Sequence, residues 1–197
     1  MLFNEAINLQ LEDGEAIYYP ACFDKTEADA YFKSLLKNIA WQQDSISLFG
    51  KTHLQPRLTA LYANNNKAYS YSNITMYPNA FTNELLSIKQ RIETICNTNF
   101  TTCLANLYRD GKDSNGWHAD NEKELGNQPI IASVSFGAER RFHLKHKTKK
   151  EHSLKLTLQH GSLLIMKGKT QENWLHQIPK TKKKIAERIN LTFRIIA

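Results

Sequence analysis

Residues 188–194 read RINLTFR, and the alternation within this stretch decides the fold. Its even positions, from Arg188 through Asn190 and Thr192 to Arg194, are polar, and its odd positions are apolar. Successive side chains of an extended strand point to opposite faces, so the stretch predicts a strand with one polar and one apolar face. The polar face suits the binding of a carboxylate-bearing small molecule, because it carries two guanidinium groups. A solvated edge strand would show the same pattern.

Five further runs upstream have the length and composition of strands. They are LANLYR at 104–109, PIIASVSFG at 129–137, RFHLKH at 141–146, SLKLTLQ at 153–159 and SLLIMK at 162–167. Glycine or polar residues separate several of these runs, as is typical of turns between strands. The series predicts a β-sandwich or jelly roll in the C-terminal half.

Two helices are predicted in the N-terminal half. The first begins at Asp24, where Glu27 completes a capping-box pattern, and runs through AYFKSLLKNIA at 30–40. The second spans about Thr82 to Cys96, with Thr82 as its N-cap. We therefore expect an α+β protein whose helices cover one face of a sheet. No repeat or linker interrupts the sequence, so residues 1–197 are expected to form a single domain.

The composition is that of a soluble globular protein, with 41% hydrophobic and 23% charged residues. No apolar run reaches the roughly 18–20 residues that a membrane-spanning helix needs. The acidic N-terminus does not resemble a signal peptide. We therefore expect an intracellular monomer without a membrane partner, cytoplasmic in a prokaryote and nuclear in a eukaryote. Three scattered cysteines do not predict disulfides.

The net charge of +7 is concentrated in the C-terminal half. From Arg140 to Arg188 there are fourteen Lys or Arg residues against three Glu, whereas residues 1–30 carry seven acids and one Lys. This asymmetry indicates a polyanionic partner for the C-terminal half. A solvated basic face without a partner would have the same composition.

Three residues form a candidate metal site. His118 and Asp120 are two positions apart, so in an extended segment both side chains point to the same side. A hydrogen-bonded His–Asp pair in a loop would also fit. His176 lies within NWLHQIP, among apolar and aromatic residues, where the alternative is a core histidine. Two imidazoles and one carboxylate suit Fe(II) oxygen chemistry, because they leave open positions on the metal.

The segment at 49–71, FGKTHLQPRLTALYANNNKAYSY, mixes aromatic residues with Lys51, His53 and Arg57. Aromatic side chains stack on or wedge between bases, and Lys and Arg contact phosphate, so the segment fits a nucleic-acid contact. An ordinary loop and hairpin fits it as well.

Together these segments resemble the AlkB family of Fe(II)- and 2-oxoglutarate-dependent nucleic-acid dealkylases. The greatest similarity is to the animal AlkB homologue that repairs double-stranded DNA. The likeness runs from about Phe49 to the C-terminus, whereas residues 1–48 show no distinctive likeness. It rests on LFGKTHLQPR, AYSYS, NLYRDGKDSNGWHADNEKEL, PIIASVSFGAER, LQHGSLLIM, WLHQIP and RINLTFR.

The resemblance implies a double-stranded β-helix, or jelly roll, with N-terminal helices packed on one sheet and a nucleotide-recognition lid. Residues 1–100 would form an N-terminal extension with the helices and the lid, and residues 101–197 the catalytic core. The implied iron ligands are His118, Asp120 and His176. The implied contacts of 2-oxoglutarate, whose carboxylates the two arginines would take, are Asn106, Tyr108, Arg188, Asn190, Thr192 and Arg194.

The resemblance also implies a set of substrate contacts. Phe49, Gly50 and Lys51 match a finger that enters the duplex and fills the gap left by an extruded base. Tyr69, Ser70 and Tyr71 match the lid over that base. The further candidates for contact with the nucleic acid are Arg57, Asn121 and Glu122.

Asn121 departs from the family's pattern. Repair enzymes of this family usually carry a further acid at this position, where it contacts the flipped base. Asparagine keeps the hydrogen-bonding reach but lacks the negative charge that favours cationic methylated bases. Glu122 follows directly and is placed to compensate.

The implied activity is oxidative demethylation of 1-methyladenine and 3-methylcytosine in DNA, in duplexes in preference to single strands. It would use Fe(II), 2-oxoglutarate and O2, and release formaldehyde, succinate and CO2. A demethylase of RNA or single-stranded DNA is the first alternative. The second is a non-catalytic, basic nucleic-acid-binding protein.

Overall fold

A computed structural model describes residues 6–48, 51–65, 69–71 and 74–196. The helices within these ranges are α1 (Lys25–Asn38), α2 (Asn83–Cys96) and the short α3 (Thr170–Asn173). The strands of the first hundred residues are β1 (Ile7–Asn8), β2 (Glu15–Tyr19), β3 (Ser45–Leu48), β4 (Lys51–Leu54), β5 (Leu58–Ala63), β6 (Tyr69–Tyr71) and β7 (Ile74–Met76). The remaining strands are β8 (Thr102–Tyr108), β9 (Asn115–His118), β10 (Ile131–Gly137), β11 (Arg140–His146), β12 (Ser153–Leu158), β13 (Ser162–Lys167), β14 (Trp174–Ile178) and β15 (Arg188–Arg194).

Both long helices begin where their caps predict. The side chain of Asp24 accepts a hydrogen bond from the backbone N–H of Glu27, and the Glu27 side chain accepts one from Asp24, which completes the capping box of α1. Thr82 caps α2 through the backbone N–H of Leu85. The chain turns to an extended conformation at Ile39, so α1 ends two residues before the end of the predicted segment. None of the helices in the described ranges has the length and apolar character that a membrane crossing requires.

The strands form two antiparallel sheets and two hairpins. The larger sheet has seven strands in the order β1-β2-β13-β10-β15-β8-β5, and the smaller sheet has four in the order β12-β11-β14-β9. The hairpins are β3–β4 and β6–β7. The two sheets make the predicted jelly roll. All six runs predicted as strands are strands, and β2 and β5 from the first hundred residues also join the larger sheet.

The two largest hydrophobic clusters of the described residues lie on opposite faces of the larger sheet. On one face the sheet packs against α1 and α2 through residues such as Leu35 and Ile88. The helices therefore cover one face of the sheet, as predicted. On the other face Tyr18, Ile131 and Leu164 of the larger sheet pack with residues of the smaller sheet, including Leu144.

The strand β15 lies between β10 and β8, near the middle of the larger sheet, and all seven of its residues are buried. Ile189, Leu191 and Phe193 belong to the core on the helix side. Its polar residues face the smaller sheet, where they line a cavity together with His176. The predicted alternation is confirmed, and the alternative of a solvated edge strand is excluded.

Candidate functional site

The pairing of β9 with β14 brings the candidate metal ligands together. His118 and His176 are Cα partners in this pairing, and Asp120 lies two residues beyond the end of β9. The possible ligand atoms of the three residues all lie within 4.8 Å of one another. Asp120 and His176 are buried and His118 is half-buried. The three side chains are thus placed to share one metal ion.

The hydrogen bonds of His118 favour one tautomer. Its Nδ1 lies 2.7 Å from the carbonyl oxygen of Gly116, which can only accept, so Nδ1 carries the proton. Nε2 then presents a lone pair, which accepts a hydrogen bond from Asn115 Nδ2 at 3.1 Å. In metalloproteins a histidine ligand is oriented by a hydrogen bond from the ring nitrogen that does not bind the metal, and the bond from Nδ1 to Gly116 is of this kind.

Burial keeps both imidazoles neutral. Burial, together with the nearby His118, lowers the pKa of His176 to about 3, and Asp120 opposes this shift. Burial also lowers the pKa of His118. The His176 ring stacks on Phe142, with ring centroids 5.3 Å apart. Since a metal binds the neutral imidazole, both histidines are in their ligand form at neutral pH.

Asp120 is held as a carboxylate by Arg194. Burial by itself would raise the pKa of Asp120, but the charge and the hydrogen bond of the Arg194 guanidinium keep this pKa below its usual range. Arg194 Nη2 donates to Asp120 Oδ1 at 2.7 Å, and both side chains are buried. Two neutral imidazoles and an ionised carboxylate fit Fe(II).

The six candidate contacts of 2-oxoglutarate share one cavity with the metal ligands. The lining residues are Arg57, Leu104, Asn106, Tyr108, Asn115, His118, Asp120, Ser133, Phe142, Leu158, Met166, His176, Ile178, Arg188, Asn190, Thr192 and Arg194. The site predicted from separate stretches of sequence is therefore one continuous site in space.

Arg188 fits a carboxylate ligand. Its side chain is 1% exposed, and Nη2 donates to Ser135 Oγ at 2.9 Å. Nε and Nη1 have no hydrogen-bond partner among the described residues. Burial lowers the pKa of Arg188 to about 10, so the group stays charged at neutral pH. A buried cation with two unpaired donors in a cavity is suited to one end of a dicarboxylate such as 2-oxoglutarate.

A network of polar side chains fixes the rest of this wall. Asn190 Nδ2 donates to Ser133 Oγ at 2.8 Å and to the carbonyl oxygen of Val134 at 3.0 Å. Thr192 Oγ1 donates to Asn190 Oδ1 at 3.1 Å. Sequence reasoning missed Ser133 and Ser135, although their alternate positions in PIIASVSFG place them on one face of a strand that pairs with β15.

The candidate substrate residues are only partly brought to the cavity. Arg57 is buried and lines it, with Nε donating to Asn106 Oδ1 at 2.8 Å and Nη1 to the carbonyl oxygen of Ser114 at 3.3 Å. Asn121 is exposed and Glu122 is half-buried, and both lie outside the cavity lining. For four further candidates the structure describes the backbone but not the side chain. They are Lys51, which begins β4, and Tyr69, Ser70 and Tyr71, which form β6. Phe49 and Gly50 lie outside the described residues.

Other residues of the site gave no signal in the sequence. Phe142, Leu158 and Met166 form apolar walls, and in the sequence they are indistinguishable from core residues. Gln171 was also missed. It lies on α3 and its side chain contacts the backbone of Asp120.

Comparison with known proteins agrees with this geometry. The family model described as "2OG-Fe(II) oxygenase superfamily" matches residues 15–194. The chain is 43% identical over 186 residues to alpha-ketoglutarate-dependent dioxygenase alkB homolog 3 of Bos taurus, covering 90% of this chain and 64% of that protein. The Homo sapiens counterpart is 42% identical over 187 residues, with 90% and 65% covered. The chain thus spans less than two thirds of the length of these relatives.

A second group of relatives carries a name that describes its activity. The DNA oxidative demethylase ALKBH2 of Homo sapiens is 38% identical over 188 residues, covering 90% of this chain and 72% of that protein. We expected the greatest similarity to the homologue that repairs double-stranded DNA. This expectation is supported only in part, because the alkB homolog 3 relatives match at higher identity than ALKBH2 does.

The fold has a counterpart among solved structures. The structure of OsALKBH1 matches with a TM-score of 0.68 and 17% identity, covering 96% of this chain and 100% of that chain, which shows the shared fold alone. The superfamily description names Fe(II) and 2-oxoglutarate (2OG), and an oxygenase uses O2, which agrees with the expected cofactor and cosubstrates. With nearly its whole length matched by the family model and its candidate ligands gathered at one cavity, the chain belongs to the 2OG-Fe(II) oxygenase superfamily, among relatives that are AlkB homologues.

Proposed function

We propose that this protein is an Fe(II)- and 2-oxoglutarate-dependent oxidative demethylase of N-alkylated bases in DNA. Its substrates would be 1-methyladenine and 3-methylcytosine, in duplexes in preference to single strands, and its products formaldehyde, succinate and CO2. The observation that carries the proposal is the juxtaposition of the His118–Asp120–His176 cluster with the buried guanidinium of Arg188, whose Nε and Nη1 have no hydrogen-bond partner among the described residues, in one cavity.

The chain's own part in this activity is to bind, orient and exclude water. Fe(II), 2-oxoglutarate and O2, when bound, supply the oxidation of the N-methyl carbon. Arg188 would hold a carboxylate of the cosubstrate, and Arg194 keeps Asp120 ionised and oriented. Phe142 and Leu158 close the cavity with apolar surface and keep water from the reacting groups.

Several observations support a nucleic-acid substrate. The net charge is +7, and the excess of Lys and Arg lies in the half of the chain that carries the candidate site. Arg57 places a further cation at the cavity. Relatives that are 36–38% identical are named DNA oxidative demethylase. The target base must leave the stack to reach such a buried centre, at a cost of a few kcal/mol that alkylation reduces.

The proposal extends to the layout and location of the protein. Residues 101–197 would hold the catalytic core and residues 1–100 the extension, the helices and the lid, although β2 and β5 of the first part also pair in the larger sheet. An intracellular monomer would meet its substrate directly, because cellular nucleic acid lies inside the cell.

The test is incubation of the purified protein with Fe(II), 2-oxoglutarate and oligonucleotides that carry one methylated base, followed by mass measurement. We expect loss of the methyl group, fastest on duplex DNA. Faster turnover of single-stranded DNA or RNA would favour the first alternative. Binding of oligonucleotides without turnover and without Mn(II) binding would favour the non-catalytic alternative.

The matched variants for this assay are His118→Ala and His143→Ala. His118→Ala removes one candidate ligand and leaves the buried Asp120–Arg194 pair intact, whereas loss of Asp120 would break this pair at a cost of about 3–5 kcal/mol. His143 lies on β11 of the same sheet and outside the cavity lining. His118→Ala should abolish turnover and His143→Ala should not. Retained turnover in iron-loaded His118→Ala would contradict the ligand assignment.

The preference for duplexes has its own test. By its resemblance to the family's finger residue, Phe49 would fill the gap left by the extruded base. Phe49→Ala should therefore slow demethylation of duplexes more than of single strands. Equal losses on both substrates would argue against the wedge.

A further inference from the structure

The backbone of Asp120 depends on a side chain that is distant in the sequence. Asp120 lies beyond the last residue of β9, and its backbone N–H donates to Gln171 Oε1 at 2.9 Å across a separation of 51 positions. Asp120 is 2% exposed and Gln171 1% exposed. A buried N–H needs a partner, because an unsatisfied one costs about 1–3 kcal/mol. Gln171 therefore supplies here what a strand neighbour supplies inside a sheet.

The acceptor oxygen of Gln171 is itself held in place. The side-chain Nε2 of Gln171 donates to Met166 Sδ at 3.6 Å. The backbone carbonyl oxygen of Gln171 accepts a hydrogen bond from Lys147 Nζ at 3.0 Å. Thr170, the preceding residue, accepts from the backbone N–H of Glu15 at 2.8 Å and donates to the Lys167 carbonyl oxygen at 2.7 Å. The α3 turn is thus tied to β2, to β13 and to Lys147, the residue that follows β11.

The same turn also leads to another candidate ligand. α3 ends at Asn173, and β14 begins at Trp174 and carries His176, five residues after Gln171. One turn therefore restrains Asp120 through the Gln171 side chain and His176 through the continuous chain. From this geometry we infer that Gln171 is a positioning residue for the metal centre. It holds the segment that carries Asp120 at a defined distance from His176.

This role differs from that of Arg194. Arg194 contacts the carboxylate of Asp120 and is also a candidate contact of 2-oxoglutarate. Gln171 contacts the backbone of Asp120 and lies outside the cavity lining. Its contribution is therefore already present before any cosubstrate binds. Loss of residues that orient metal ligands typically lowers metal affinity by about 10–100-fold.

The test measures metal binding of the apo protein without substrate. Mn(II) is titrated calorimetrically, and the ligand-field spectrum of the Co(II) form reports the geometry of the site. Gln171→Met has a similar volume and lacks the oxygen acceptor, so we expect about 10–100-fold weaker Mn(II) binding and an altered Co(II) spectrum. Gln171→Glu retains an oxygen acceptor and should stay within a few-fold of the wild type. Should Gln171→Met fail to fold, Gln171→Asn, whose acceptor is one bond shorter, carries the same expectation.

Thr170→Val is the matched control, because it removes buried hydrogen bonds of the same turn without touching Asp120. It should lower the Tm and weaken Mn(II) binding much less than Gln171→Met does, because it loosens the turn but leaves the hydrogen bond to Asp120 in place. Equal Mn(II) affinity in Gln171→Met and the wild type, or equal losses in Gln171→Met and Thr170→Val, would overturn the inference. The inference rests on the proposed metal centre. If the wild type binds no Mn(II), the metal centre itself is refuted; if only the expected difference between the variants is missing, the role of Gln171 is refuted.

Discussion

At the scale of single residues, Arg188 shows what an unpaired buried charge requires. A guanidinium group removed from water is costly unless hydrogen bonds and a counter-charge satisfy it. Arg188 Nη2 donates to Ser135 Oγ, and the guanidinium lies over the Tyr108 ring, 5.1 Å from its centroid, but Nε and Nη1 have no hydrogen-bond partner among the described residues. Each of these two nitrogens can donate a charge-assisted hydrogen bond to a carboxylate oxygen of a ligand in the cavity.

Replacement of Arg188 by Lys should therefore weaken cosubstrate binding. An ammonium group keeps the charge but lacks the rigid, planar set of N–H donors of a guanidinium, so we expect the Kd of 2-oxoglutarate to rise about tenfold or more while Mn(II) affinity stays unchanged. Calorimetric titration of the Mn(II) form measures both. Arg141→Lys, at an exposed position on β11, is the control and should bind like the wild type. An unchanged Kd in Arg188→Lys would remove Arg188 from the 2-oxoglutarate site.

Asp113 carries a prediction about pH. Its buried carboxylate accepts hydrogen bonds from the backbone N–H of Arg109 at 2.9 Å and from Arg109 Nε at 2.8 Å. Burial alone would raise the pKa of Asp113, but the contacts with Arg109 and the charge of Arg140 outweigh it, so the pKa is lower than usual. The stabilisation is therefore complete above the unfolded pKa of about 3.9 and is lost as the pH falls through the lower folded pKa.

Asp113→Asn should accordingly have a lower Tm than the wild type at pH 7. The difference should shrink as the pH is lowered from about 5 towards 2, because the wild type then loses the same interaction. Thermal unfolding across this range measures the difference. A gap of constant size at every pH would show that the charge of Asp113 does not contribute.

The residues that could be predicted share one property: their chemical type is rare in the place where they occur. A histidine among apolar residues, as at His176, or arginines alternating with apolar residues, as in β15, contradict the local pattern of burial and so attract attention. Met166 and Phe142 look like ordinary core residues, and Gln171 looks like a surface residue of a short turn. Their roles arise from neighbours that are distant in the sequence, which no local pattern contains.

At the scale of elements, strands with an alternating pattern or clear flanking turns were predictable, and short strands or strands without alternation were not. β5, with the sequence LTALYA, has no regular alternation of polar and apolar residues, and β2 has only five residues. Their conformation depends on pairing with β8 and β13, far along the chain. The caps at Asp24 and Thr82 were predictable because capping depends on residues within one turn.

The end of β10 carries a prediction about the backbone. Gly137 has a φ of +86°, and a Cβ placed there would lie 2.5 Å from the carbonyl oxygen of Glu187. Gly137→Ala should therefore lower the free energy of unfolding by more than about 1 kcal/mol, measured by denaturant titration.

Two other glycines separate the causes of that loss. Gly126 has a φ of +72° with open space around it, so Gly126→Ala carries the cost of the dihedral angle alone. Gly116 has open space and no positive φ, so Gly116→Ala should be nearly neutral. We expect losses in the order Gly137, Gly126, Gly116. Equal stability of the Gly137 and Gly126 variants would show that Glu187 moves aside without cost.

At the scale of the whole molecule, exposed and buried charges predict salt dependences of different size for the two ligands. The excess of cations would attract nucleic acid through exposed charges, whereas Arg188 would bind 2-oxoglutarate in a buried cavity. Exposed charges are screened by salt much more strongly than buried ones. Oligonucleotide affinity should fall about tenfold between 50 and 200 mM salt for every two phosphate contacts. The affinity for 2-oxoglutarate should change far less. Titrations of both ligands at the same salt concentrations measure the two effects. An equal salt dependence of both affinities would contradict the assignment of one ligand to exposed charges and the other to a buried charge.

The position of β15 has a consequence for how this protein tolerates mutation over evolutionary time. The strand presents chemistry on one face and core packing on the other, with successive residues serving different ends. A substitution at Asn190 or Thr192 would act first on the polar wall of the cavity, whereas one at Leu191 would act first on the hydrophobic core. Selection would thus act on neighbouring residues of RINLTFR through two separate quantities, the activity of the protein and its abundance in the cell. In a lineage where this selection is relaxed, activity and abundance could be lost independently, through substitutions at adjacent residues.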